Sequence, residues 1–387
     1  MIANVRLKVF LQEKLFPLFS FINKKIVHDE HMIMFYSNIG PLRDNSAPLL
    51  DYMLKKGCNK YYKIICSTKD YKKHKYDNIP NVQYVSNLMG VFYFFKVGYV
   101  FYSVGKIPIL PGIKQKVSQL WHGIYFKGAD EGLLKGHTLK YQYYTHFMST
   151  SEWLKPLWRR IFSLEENRIY VTGQPRNDAL FNNTHYNFGE YKKLVVWMPT
   201  FRKSKVMGYE NTKSNEILPI ISHKEYREFN DYLACKDIKV VIKLHPFQDI
   251  SSDELVNLDH LILLSHNEFV KKNIDLYSFI GQCDAMITDY SSVFFDYLIL
   301  NRPIGFTISD MTEYTENRGF NFDNPLSYMP GPHIQTKEEL YKFIDNLSCG
   351  NDEYEAQRKK VNALFNDYTD NQSCRRVLNA VGIEVFE

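Results

Sequence analysis

A chain of 387 residues has room for two domains of ordinary size, and 45% hydrophobic with 24% charged residues excludes a disordered or fibrous polymer. The formal net charge of +5 is spread along the chain, which excludes the clustered stripe of a nucleic-acid groove and leaves anionic substrates or an anionic membrane surface open. Six cysteines lie far apart with no CxxC pair, so neither a zinc site nor a disulfide framework is expected, and a reducing, cytoplasmic setting fits.

Residues 9–22 are apolar, yet Glu13 and Lys14 interrupt them, Pro17 is expected to break a helix, and no small-residue cleavage site follows. The run is too short and too charged to cross a bilayer. With Arg6, Lys8, Lys14, Lys24 and Lys25, residues 1–27 form a basic, aromatic-rich segment that either lies in a membrane interface or packs as a helix on the first domain. After residue 28, short apolar runs alternate with longer mixed segments. Strands are expected at 32–36, 63–66, 82–85, 98–102, 117–121 and 146–149. They are apolar throughout, which predicts a parallel sheet covered on both faces. The polar stretch 182–191 reads as a linker, and a second series follows at 194–198, 240–244, 261–264, 285–288 and 304–306. Residues 337–377 read as helices, one of them packing back on the first domain. The whole predicts an α/β protein of two Rossmann-like domains facing a central cleft, spanning 28–184 and 190–387.

Ligands of such sheets bind beyond the carboxyl ends of the strands, so polar residues directly after strands are the candidates. In residues 285–300, AMITDYSSVFFDYLIL, Ser291 and Ser292 open a buried helix. Free backbone N–H groups and the helix dipole favour a phosphate there, although a plain N-cap explains an isolated Ser-Ser equally well. Lys243, Leu244, His245 and Pro246 follow a strand, where an ammonium and an imidazole can neutralise a diphosphate. His122, within Gln-Leu-Trp-His-Gly, follows another, and Gly123 allows close backbone approach. An imidazole titrating near neutrality can take a proton; a bystander histidine on a tryptophan-anchored turn is the plainer alternative. Arg176 lies in VTGQPRND at the end of the first domain, and Pro199 and Thr200, with Arg202 beyond them, follow the first strand of the second.

In this order, WHG, TGQPRND, PTFR, KLHP and TDYSSVFFDYL resemble the motifs of the CDP-glycerol glycerophosphotransferase family, the primases and polymerases of wall teichoic acid and related capsular polymers. Asn301-Arg302-Pro303-Ile304 and RGFNFD at 318–323 continue the match over residues 100–330. The resemblance implies a GT-B fold and transfer of glycerol phosphate or ribitol phosphate from a CDP-activated donor. The implied acceptor is a lipid-linked saccharide or growing polymer at the inner face of the membrane, with CMP released. It also implies His122 and His245 as catalytic residues, and Gly123, Ile124, Tyr125 and Phe126 on the acceptor side. Lys243, His245, Ser291 and Ser292 would hold the diphosphate with Arg176 close by, Pro199 and Thr200 would line the nucleotide pocket, Asp296 would meet a donor hydroxyl, and Leu244 and Arg202 are further substrate-binding candidates. Ile124 and Tyr125 stand where the family has Thr-Pro, and Phe201 replaces a Trp. The length matches the primases or compact capsule enzymes. No acidic cluster of metal-ligand type accompanies these motifs, so no metal and no cofactor is expected. The alternatives are a sugar-nucleotide glycosyltransferase of the same fold and a non-catalytic nucleotide-binding scaffold.

Overall fold

The computed structural model describes residues 16–74, 78–128, 143–200, 203–204, 209–210, 218–244, 258–317 and 319–385. His245, Arg202, Arg318 and residues 1–15 lie outside them. The chain divides into two compact units. One comprises residues up to His122, Thr138–Asp178 and Asn366–Glu387; the other comprises Gly123–His137 and Ala179–Phe365.

The first unit is built on seven strands, β1 (Asp29–Tyr36), β2 (Lys63–Ser67), β3 (Val82–Val85), β4 (Val97–Tyr102), β5 (Lys116–Gln119), β6 (His146–Ser149) and β7 (Ile169–Val171). All pair in parallel, in the order β3-β2-β1-β4-β5-β6-β7, with Ile33 of β1 opposite Ile64 and Tyr99. The period-two alternation of β1 splits its side chains between two cores. Ile33 and Phe35 join Ile64, Cys66 and Phe101 beneath Leu49 and Met53 of helix Ser46–Lys55 and Val377 and Leu378 of helix Ser373–Ala380. Met34 and Tyr36 join Ile65, Val100 and Tyr102 beneath helix Asn87–Phe94 and Phe16 and Phe19 of helix Phe16–Asn23. Burial on both faces is why these strands read as unbroken apolar runs. Pro17, expected to break a helix, lies inside Phe16–Asn23. β5 stops at Gln119, short of the expected 121, because Trp121 takes a left-handed φ of 58° and its N–H turns onto the Gln119 side chain, 3.1 Å away.

The second unit carries β8 (Lys193–Met198), the antiparallel pair β9 (Lys203–Ser204) and β10 (Tyr209–Glu210), β11 (Ile238–Lys243), β12 (Leu261–Leu264), β13 (Ala285–Thr288), β14 (Ile304–Thr307) and β15 (His333–Ile334). Six of them form a parallel sheet ordered β12-β11-β8-β13-β14-β15. Val195, Trp197, Val240, Ile242 and Ile287 share one core with Phe229 and Leu233 of helix Tyr226–Cys235 and Leu340 and Phe343 of helix Lys337–Cys349.

The polar stretch 182–191, expected as a linker, packs on this second unit. The Tyr186 N–H donates to Gln282 at 2.8 Å, Asn182 donates to Ser278, and the Phe188 ring lies 5.3 Å from that of Phe279. The chain leaves the first unit already at Asp178 and returns at Asn366, so the expected bounds 28–184 and 190–387 differ from the division found. Of the C-terminal helices, Lys337–Cys349 and Glu355–Phe365 belong to the second unit and Ser373–Ala380 to the first. The Asp178 carboxylate accepts the N–H groups of Ser373 and Cys374, both at 2.8 Å, and so caps the start of that last helix.

Candidate functional site

Strand order reverses between β1 and β4 in the first sheet and between β8 and β13 in the second, so each unit has its own switch point. In the first, His122 follows the end of β5. Its Nδ1 lies 3.3 Å from the Ser103 carbonyl at the end of β4. The Nδ1–H tautomer satisfies that carbonyl and leaves the Nε2 lone pair to accept a proton. The Trp121 ring lies 4.3 Å from the imidazole and packs on Phe162 and Phe147, so the turn is anchored by tryptophan. Burial draws the His122 pKa below its ordinary 6.5; Asp44 opposes this, and Arg176 reinforces it. Gly123 has φ 135°, a backbone conformation that other residues rarely take.

Arg176 is buried and comes to the same place, its Nη1 donating to the His122 carbonyl at 2.9 Å. Both motifs meet on Asn45, a residue the sequence reading missed. Fully buried, Asn45 donates from Nδ2 to the Leu120 and Trp121 carbonyls at 3.2 and 2.9 Å and to Gln174 at 3.1 Å. Its Oδ1 accepts the Arg176 N–H at 3.1 Å. One amide thus ties the WHG and TGQPRND segments together. Ser103 directly follows β4, and the rule that singled out His122 could have found it; Asn45 stands just before helix Ser46–Lys55, well past the end of β1, and that rule does not reach it.

In the second unit, Pro199 and Thr200 follow β8 and Asp289 follows β13. Asp289 is fully buried, and its two oxygens accept the N–H and the hydroxyl of Thr200. Lys127, another residue missed, donates to the Thr200 hydroxyl at 3.2 Å. It arrives on the segment after Gly123, where Asn321 donates to the carbonyls of Tyr125 and Lys127 at 2.8 and 2.7 Å. Phe126 is fully buried, with its ring 5.1–5.9 Å from those of Phe294, Phe295, Phe320 and Phe322. Ile124 is buried as well.

Ser291 and Ser292 lead into helix Val293–Tyr297, and the Ser292 side chain makes no capping bond there, so the plain N-cap explanation does not hold for it. Asp296 is buried on that helix and accepts the Tyr277 hydroxyl at 2.7 Å. Lys243 ends β11 with its ammonium on the Leu244 carbonyl at 2.5 Å and over the Phe269 ring. Burial brings its pKa down to about 8. Leu244 is buried and donates to the Leu264 carbonyl. Among the described residues, no three His, Cys, Asp or Glu side chains gather as metal ligands.

The chain is 26% identical over 341 residues to a teichoic acid poly(ribitol-phosphate) polymerase of Bacillus spizizenii, covering 81% of this chain and 51% of that protein. It therefore spans about half the length of that relative. It is 27% identical over 350 residues to a teichoic acid poly(glycerol phosphate) polymerase of the same species, covering 82% of this chain and 83% of that one. In fold it is similar to the wall teichoic acid polymerase TagF, with a TM-score of 0.72 at 21% identity over 97% of this chain and 94% of that one. Residues 18–382 match the family model described as CDP-glycerol:poly(glycerophosphate) glycerophosphotransferase, and the chain belongs to that family.

Proposed function

We propose that this chain transfers a polyol phosphate from CDP-glycerol or CDP-ribitol to a hydroxyl of a lipid-linked saccharide or growing teichoic-acid or capsular polymer. The acceptor oxygen attacks the β-phosphorus, the bond from that phosphorus to the bridging oxygen breaks, CMP leaves, and the acceptor proton passes to Nε2 of His122. Charge spreads over the phosphoryl oxygens during such a transfer, so positioned donors and cations carry most of the stabilisation. Lys243, His245, Ser291 and Ser292 serve the diphosphate, and Pro199 and Thr200, with Arg202, serve the nucleotide. Arg176 acts on His122 by holding its carbonyl.

The observation that carries this reading is the imidazole of His122, which has a fixed tautomer, a lowered pKa and a backbone pinned by two motifs of the family. The polymerases among the relatives support the polyol phosphate as the group moved. To test it, CDP-glycerol, CDP-ribitol and UDP-sugars are offered separately with a lipid-linked disaccharide mimic. Release of CMP with a product heavier by one polyol phosphate is expected; UDP release without CMP would hand the site to a sugar transferase.

The inner membrane face is the proposed place of work. Helix Phe16–Asn23 packs Phe16 and Phe19 on the core and still turns other apolar side chains outward, which supports it. Ser20 and Asn23 are buried, bonded to Leu110 and Gln115, while Leu18, Phe21 and Ile22 are exposed. Leu88, Met89 and Phe92 of helix Asn87–Phe94 are exposed too. Within the same unit, residues 78–122 carry Lys96, Lys106, Lys114 and Lys116 without a single Asp or Glu. Exposed apolar side chains on a unit whose neighbouring sequence is positively charged suit an anionic lipid surface. Among the described residues, no helix is long and apolar enough to cross a membrane.

A further inference from the structure

Helix Ser46–Lys55 begins at Asn45, a residue type favoured there because its side-chain oxygen can accept a free N–H of the first turn. Asn45 makes no such bond. Its own backbone is already helical, with φ −82° and ψ −19°, and its amide turns inward, where it is fully buried. There Nδ2 meets the carbonyls of Leu120 and Trp121, and Oδ1 takes the Arg176 N–H. The next residue reaches the same place: the Ser46 hydroxyl lies 2.8 Å from that of Ser103, whose carbonyl meets Nδ1 of His122.

The turn before His122 needs holding. Trp121 has φ 58°, a left-handed conformation in which the Cβ of a bulky residue crowds the backbone. Such a conformation persists where the surroundings fix it from several sides. On one side the Trp121 N–H donates to Gln119 Oε1 at 3.1 Å. Gln119 is itself buried and anchored, its Nε2 donating to the Gly105 carbonyl and the Tyr144 hydroxyl at 3.3 and 3.1 Å. On the other side the Trp121 carbonyl accepts from Asn45 at 2.9 Å. Both peptide units of Trp121 are therefore held by side-chain amides, and the second of them leads directly into His122. Giving up a helix cap to hold a strained turn is the departure from local preference expected at a functional site.

We propose that Asn45 and Gln119 are positioning residues of the transfer reaction: they keep Trp121 left-handed and so fix the direction and the tautomer of His122. Each acts through the backbone of residue 121, and neither is assigned a contact with the reacting atoms. The inference rests on the reading of His122 as the base and adds the two side chains that aim it.

Asn45→Ser and Gln119→Met each remove one of the two grips. Full-length protein labelled at its 12 histidines is followed by NMR, with the His122 ring nitrogens assigned through the loss of their signals in His122→Gln. The wild type should show the Nδ1–H form, and each variant a mixture of the two tautomers. In both variants kcat for CMP release should fall about ten- to a hundred-fold, the scale of a catalytic group displaced by about an ångström. KM for CDP-glycerol, and CDP affinity by calorimetry, should stay within about two-fold of the wild type. Retained CDP binding and a cooperative thermal transition identify folded protein, and two separate sites leave one to decide should the other fail to fold. A residue needed only for the fold would lower the thermal midpoint while kcat per folded molecule and the His122 tautomer stayed as in the wild type, and that result would overturn the proposal. An Nε2–H ring in the wild type would overturn it without any variant. Normal turnover in His122→Ala would strike the base reading and the roles of Asn45 and Gln119 with it; an unmoved tautomer while His122→Ala is inactive would strike the positioning alone.

Discussion

A base is useful only if it is unprotonated when the acceptor arrives, and His122 meets that condition by burial and by the guanidinium beside it. Replacing it with alanine should lower turnover about 10²- to 10⁴-fold, measured as CMP release; near-wild-type turnover would remove it from the mechanism. The acid limb of kcat/KM should fall below the ordinary histidine value of 6.5, because activity is lost only where the imidazole protonates. Lys243 makes the opposite test at alkaline pH. Its ammonium loses its charge as pH rises through about 8, so affinity for CDP should decline there while affinity for uncharged cytidine holds. Stability runs the other way. Between about 8 and the unfolded value near 10.4 the unfolded chain binds more protons than the folded one, so the ligand-free thermal midpoint should rise across that window. A CDP affinity flat from pH 7 to 9.5 would take Lys243 away from the phosphates.

Short elements carry much of the organisation, and their legibility follows from how far away their partners lie. Strands such as β1 and β11 could be read because burial on both faces keeps polar residues out of their centres, Met32–Tyr36 and Val240–Ile242. β7, with three residues, and β15, with two, are too short for any period to show. The segment after Gly123 was legible as a departure from the family pattern but not as a packing element, since the rings around Phe126 come from residues 294, 295, 320 and 322. Removing that ring by Phe126→Ala should cost about 3–5 kcal/mol of stability, the range for an aromatic side chain deleted from a core. Denaturant unfolding checks this, and a loss under about 1 kcal/mol would show the ring to be dispensable. Motif residues at or just beyond strand ends, Lys243 on the last position of β11 and His122 and Thr200 after β5 and β8, were legible for a different reason: the end of a strand fixes where the next residues lie.

At the scale of the whole molecule, the exposed apolar side chains of helices Phe16–Asn23 and Asn87–Phe94 define a surface whose effect can be measured. Phe21→Glu combined with Phe92→Glu should reduce co-sedimentation with vesicles rich in anionic lipid by about ten-fold or more, given the apolar area withdrawn and the charge reversed, without lowering turnover of a soluble acceptor. Undiminished vesicle binding would locate the contact elsewhere. Sequence reading reached only the first of these helices, because the exposed face of the second reveals itself only once Phe94 and Val85 are seen to take the buried side.

The discontinuous first unit also has a consequence for biosynthesis. Its sheet lacks part of one cover until residues 373–380 have been made, because Cys374, Val377 and Leu378 close the face formed by Ile33, Phe35 and Ile64. During translation, the ribosome must therefore deliver every residue of the second unit before the earliest strands can finish burying themselves. The nascent chain carries sticky apolar surface throughout that wait, the kind of intermediate on which chaperones act, and a chain cut short between residues 365 and 373 would leave it uncovered for good.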